Sequence, residues 1–194
     1  MPVIFLKNVR LSYPDLFEPK AFEEGTPRYG AQFLTDEGDA NDKLIRKTIA
    51  EAIAEAFPDA KHAASFKKKV EGQKGQFCYR DGDTVVYDSH QGHWFLAAHR
   101  GEDKGPPAIV DNKADPATGK PAVLTAASGR IYSGCYVNAK VEIWVQSGKY
   151  TGVRATLLAV QFAADGEAFA GSPASADGFE TVESDESGDA NDFF

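Results

Sequence analysis

The 194-residue sequence has only two cysteines, one methionine and four histidines. Two thiols are too few for a disulfide framework, so Cys78 and Cys135 read as small buried hydrophobes in a reducing cytoplasm. No apolar run approaches the ~20 residues that span a bilayer. The opening MPVIFLKNVR lacks a cationic lead before its apolar stretch, which argues against a signal peptide and for a first strand. GxxxxGK[ST], GxSxG, HExxH and GxGxxG are all missing, and no nucleophile is paired with a base. No enzyme and no cofactor are therefore expected.

Basic residues are missing from one place in particular: none follows Arg154. The net charge of −8 comes from 29 acids against 21 bases. Nine of those acids lie beyond Arg154, so 20 remain to balance the 21 bases of the body. The body is near neutral and the C-terminus holds the excess. From about residue 165 the composition falls to Gly, Ala, Ser, Asp and Glu, too polar to offset the entropy of ordering. The expected organisation is a folded domain over 1–164 and a disordered acidic tail over 165–194, ending in Asp189, Asp192, Phe193 and Phe194.

Within the body, residues 2–13 and 28–35 have the aromatic and β-branched content of strands. The pattern then changes. Ile45, Ile49, Ile53 and Phe57 stand four apart, one stripe of a helix that Asp39, Asn41 or Asp42 can cap and Pro58 ends. A shorter amphipathic piece follows over 59–70. QFCYR and HWFLAAHR are further strand candidates, and 101–129 reads as a long irregular excursion holding one short strand, AIVD. RIYSGCYVNAKVEIWVQ and GVRATLLAVQF complete the body, joined by a turn at 147–149. Strands, a helical insert and more strands make a β-rich α+β chain, compatible with a small closed barrel.

The segment 136–146 is the most informative. Its odd positions, Val137 to Val145, form an aliphatic row. Its even positions carry Tyr136, Lys140 and Trp144, and the same parity extended backward adds Tyr132 and Arg130. Rings interleaved with cations suit single-stranded nucleic acid: bases stack at roughly 1–3 kcal/mol each while cations meet phosphates. The alternative is that the helical insert or the 101–129 excursion covers Trp144, and a bulge at Gly134 would flip everything before it. Trp94, Arg80, Arg100, Arg154, Lys104 and Lys113 complete the candidate DNA-binding set, with Arg28 also within a strand candidate. The lysine run 67–69 with Lys74 is either a phosphate-contacting patch or a solvated helix end. HQGH, with His99 nearby, lacks the four closed ligands of a structural zinc site, so no metal is expected. The DGD at 81–83 reads as a turn, with a Mg²⁺-binding carboxylate pair as the alternative.

GHWFLAAHR and PPAIVD, followed by IYSGCYVNAKVEIWV and GVRATLLAVQFAADGE, resemble a family of phage-encoded single-stranded DNA-binding proteins, and FLKNVRLSYPDLFEPK fits it as well. The match spans roughly 3–167. The resemblance implies an OB-fold, a five-stranded Greek-key barrel here carrying a helical insertion, similar to the replication proteins of T-odd phages. It implies sequence-independent binding of single-stranded DNA, in the cytoplasm of an infected bacterium. An acidic terminus with an aromatic tip is common among such proteins. Asp189, Asp192, Phe193 and Phe194 are thus expected to compete with DNA and to recruit host or phage replication and recombination proteins. A homodimer is compatible with this reading. The rivals are a protein-binding adaptor and a metal-dependent nucleic-acid enzyme built on Asp81, Asp83 or the histidines; a solubilising role is the alternative for the tail.

Overall fold

The computed structural model describes residues 2–21 and 25–169. The elements run β1 (Val3–Lys20), β2 (Arg28–Thr35), α1 (Ala40–Ala56), α2 (Ala60–Val70), β3 (Tyr79–Asp81), β4 (Trp94–Gly101), β5 (Ala108–Ala114), β6 (Pro121–Val123), β7 (Tyr136–Gln146) and β8 (Gly152–Ala164).

β1 is longer than its sequence suggests and runs on through Pro14. It pairs with β7 from Val3 to Arg10 and with β2 from Arg10 to Lys20, so its two halves have different neighbours. The switch is made by bends. Asn8 and Tyr13 take left-handed backbone angles, φ 48° and 46°, each inside a register shift. β2 pairs with β4, β7 with β8, and β8 meets β4 in parallel at His99–Thr156. The ring β1–β2–β4–β8–β7 is thereby closed, which is the five-stranded OB arrangement. β3 adds to the outside of β4, and a β5–β6 hairpin adds beyond β8.

The barrel interior is filled by alternating residues, among them Leu6, Leu11, Phe33, Leu96, Ile143 and Leu157, all fully buried. The helical insert lies across one end, where Ile45, Ile49 and Ile53 join the same core. Phe57, the fourth member of that stripe, closes α1 and stacks on Phe66 of α2 at 4.7 Å. Asp39 caps α1 by accepting from the Asp42 amide. Asp42 is 3% exposed and accepts from the Tyr79 hydroxyl at 2.7 Å, the Arg46 guanidinium at 2.6 Å and the Gly38 amide at 2.8 Å. The Thr35 hydroxyl in turn donates to the Tyr79 oxygen at 2.6 Å. Burial pushes the Asp42 carboxyl up, but its three donors outweigh this and hold it below the ordinary carboxylate range. Cys78 and Cys135 are buried, and burial raises both thiols, Cys78 to about 12.

Two expectations need correction. The 101–129 excursion is not largely irregular, because β5 extends past AIVD and pairs with β6 around a turn closed by Asp115. The strand expected from Arg130 begins only at Tyr136, because Gly134 sits in a turn at φ 107°. Residues 165–169 pack against that turn. Tyr132 donates to Asp165 and Gly166, the Phe169 amide donates to the Ser133 carbonyl, and Arg10 donates to the Gly134 and Glu167 carbonyls. Arg10 also lies 4.5 Å from the Phe169 ring centroid. A Cβ at Gly134 would collide with the Glu167 carbonyl, and one at Gly166 with the Gly134 carbonyl. The two glycines interlock. Residues 170–194, with Asp189, Asp192, Phe193 and Phe194, lie outside the described residues.

Candidate nucleic-acid interface

An OB barrel presents the outer face of its second and third strands, here β2 and β4, between the loops that flank them. At the centre of this face two small outward residues, Gly30 and Ala97, stand beside the larger His99 and Gln32. Gly30 lies opposite His99, and Gln32 opposite Ala97. A Cβ at Gly30 would come within 3.1 Å of the His99 ring, so glycine is what lets that ring lie close over β2. Burial first, then the charges of Arg28 and Arg154, pull the His99 imidazole down to about 4. It is neutral at pH 7, and Arg28 and Arg154 supply the positive charge at this end.

At the other end is a cluster of rings. Tyr13, displayed by the left-handed bend in β1, lies 4.8 Å from Tyr87 and 5.9 Å from His90 by ring centroids. His90 is fully buried, edge-on to Phe95 at 4.9 Å, and its Nε2 donates to the Gln32 side-chain oxygen at 2.6 Å. Burial first, then His93 and Arg80, pull it down to about 4, so it too is neutral. Arg80 covers the Phe95 ring at 4.8 Å. The outcome is a rigid base with two exposed rings above it, Tyr13 at 47% and Tyr87 at 38%, beside the almost fully exposed Val86. Exposed rings at one end and arginines at the other, with the neutral His99 ring and Ala97 between them, match what an unpaired strand needs: stacking surfaces and phosphate partners.

The family model described as Enterobacter phage Enc34, ssDNA-binding protein, matches residues 1–191. The chain belongs to this Enc34 family. Protein p50 of Acyrthosiphon pisum secondary endosymbiont phage 1 is 37% identical over 179 residues, covering 87% of this chain and 86% of p50. The single-stranded DNA-binding protein of bacteriophage Enc34, solved in complex with ssDNA, shares the fold with a TM-score of 0.66 at 23% identity, over 86% of this chain and 89% of that one. The single-stranded DNA-binding protein gp2.5 of bacteriophage T7 has a TM-score of 0.52 at 14% identity, over 94% and 99%. The Enc34 family is one of binding proteins and not of enzymes.

In this Enc34-family chain, the residues singled out from sequence are scattered around the barrel. Trp144 is half-buried; its indole N–H donates to Thr156 at 3.0 Å, and with Ile143 and Val145 it borders a crevice against Ala52, Glu55 and Ala56 of α1. Arg154, opposite Trp144, donates to the Gln146 side chain and to the Gly75 and Tyr150 carbonyls. It therefore fixes two loops as well as carrying charge. Lys140 lies over Phe5 at 5.4 Å, on the β1–β7 side. Tyr136 lies under Arg10, and Tyr132 is tied to residues 165–166. Arg130 is held by Asp111 at 2.9 Å and stacks on Phe162 at 4.0 Å, a pairing that also lowers the Asp111 pKa. Trp94 is half-buried at the α1 end, 4.1 Å from the Arg46 guanidinium. Arg100 donates to the carbonyls of Lys104 and Gly105, closing the turn that carries Lys104, while Lys113 is exposed on β5. Of this set, Trp94 and Arg100 lie on β4 itself, in the parity of the inward Leu96 and Ala98, while Arg80 and Arg154 border the β2–β4 face. Tyr13 and Tyr87 were not among the residues singled out from sequence.

Asp81 and Asp83 serve the turn: Asp81 caps it, and Asp83 accepts from the Gly92 amide. Among the described residues, no three His, Cys, Asp or Glu side chains are grouped to hold a metal ion, and no helix is long and apolar enough to cross a membrane.

Proposed function

We propose that this chain binds single-stranded DNA without sequence preference across the outer face of β2 and β4, in phage DNA replication, recombination and repair. The observation that carries the reading is the exposed Tyr13–Tyr87 pair on the same face as Arg28 and Arg154, with His99 and Ala97 between, in a member of this family. Rings take bases, arginines take phosphates, and no base edge is read. Anisotropy of a labelled oligo-dT titrated at several salt concentrations tests this. Saturable binding is expected, with log K falling by roughly 0.7 per phosphate contact for each unit of log salt. Binding that is equal for duplex, or absent at low salt, would overturn it.

The acidic end fits the same proposal. Residues 177–194 hold seven carboxylates, no base, and the terminal Phe193 and Phe194. Tethered to the barrel, they compete with DNA for its cations at high local concentration, and once displaced they offer an anionic aromatic terminus to partner proteins of host or phage. Deleting 177–194 is expected to tighten oligo-dT binding at low salt. Unchanged or weaker affinity in the same titration would count against competition.

A further inference from the structure

A second cationic feature lies beyond the face. The C-terminal end of α2, the turn after it and residues 148–151 enclose a cleft of about 300 Å³ lined by Lys69, Lys74, Lys149, Arg154 and Tyr150. Among the described residues its lining includes four cations and no carboxylate. Both walls are fixed by one side chain, because Arg154 donates to Gly75 on one side and Tyr150 on the other. The Thr151 hydroxyl closes the 148–151 turn by donating to the Gly148 carbonyl at 2.6 Å. Tyr150 is 60% exposed, with the Lys149 ammonium 5.3 Å from its ring centroid. Lys67, on the same helix turn, is paired with Glu71, whereas Lys69 lies in the cleft.

We propose that this cleft is an exit subsite, where the backbone of a single strand leaving the β4–β8 side of the face sets a phosphate between Lys69 and Lys149 and a base on Tyr150. Resting on the assignment of the face above, it names where the strand goes next. Arg154 makes the two continuous, since it lines the cleft and also acts electrostatically on His99. A ring with cations on both sides of a walled cleft is the combination that single strands use, and a glycine at 148 and another at 75 leave the walls open to backbone approach.

The test uses the full chain and its Lys69→Gln/Lys149→Gln double variant. Both lysines are exposed, so the variant keeps the fold, which circular dichroism checks. Each binds an oligo-dT ladder from about 4 to about 16 nucleotides, the span of OB site sizes. The shortest oligos that bind should show no difference. Above a threshold length the variant should bind more weakly, with its salt slope flattened by about 1.4, two contacts at about 0.7 each. An equal loss at every length, or none at any, would overturn the exit subsite while leaving the face intact. Tighter binding by the variant, abolished on removing 177–194, would overturn it by showing that the acidic terminus occupies the cleft. Failure of the unmodified chain at every length would sink the assignment of the face itself.

Discussion

Replacing Tyr13 and Tyr87 together by alanine is expected to cost about 2–6 kcal/mol of oligo-dT affinity, since each stacked ring contributes about 1–3. At about 1.4 kcal/mol per tenfold, that is a loss of roughly 30-fold to 20,000-fold. The rings are exposed, so nothing in the core is removed, and alanine meets the left-handed backbone at position 13 no worse than tyrosine does. His90 and Phe95 beneath them stay in place. The contrast is Trp144→Ala, which cuts an indole already bonded to Thr156 and should weaken binding far less. Anisotropy titration of both variants, with thermal melts to confirm folding, separates the two surfaces. A Trp144 loss exceeding that of the tyrosine pair would move the stacking site to the β7–β8 surface.

Asp42→Ala is expected to destabilise the fold by about 1–3 kcal/mol; the Arg46 side chain it leaves is 40% exposed and regains water, so the cost falls on the buried hydrogen-bonding groups. The Tyr79 hydroxyl and the Gly38 amide lose their acceptor at the same time. The pH dependence has a definite sign. The folded-state pKa of Asp42 lies below its unfolded value near 4, so its contribution is present above that value and is lost as pH falls through the folded pKa. The deficit of Asp42→Ala should therefore be full at pH 7 and shrink in acid. Denaturant unfolding at pH 7 and pH 3 measures it. A deficit under 1 kcal/mol, or one that does not change with pH, would contradict the network described.

The barrel was legible where side-chain alternation is regular. Val137 to Val145 read directly as an inward row, and the stripe Ile45, Ile49, Ile53 as one helix face. Legibility failed where the chain bends. Tyr132 and Arg130 were assigned by carrying strand parity across Gly134, whose turn breaks the alternation. Tyr13 escaped notice because a left-handed residue inside β1 turns its side chain out of the expected order, and Tyr87 because it sits between two short helical turns with no period at all. Trp94 and Trp144, the two largest rings, drew attention by type, yet each has a partner of its own, Arg46 or Thr156. Ring type ranks candidates. What decides between them is which rings the backbone leaves uncovered, and that depends on pairings such as His99–Thr156 that join segments more than fifty residues apart.

The interlock of Gly134 with Gly166 also bears on where the chain can be shortened for crystallisation. A stop codon after Ala164 would remove the carbonyl of Glu167 and the ring of Phe169, leaving the Arg10 guanidinium only the Gly134 carbonyl and the Tyr136 ring. Shortened versions should end beyond Phe169, so that loss of the acidic terminus is not confounded with damage to the barrel wall.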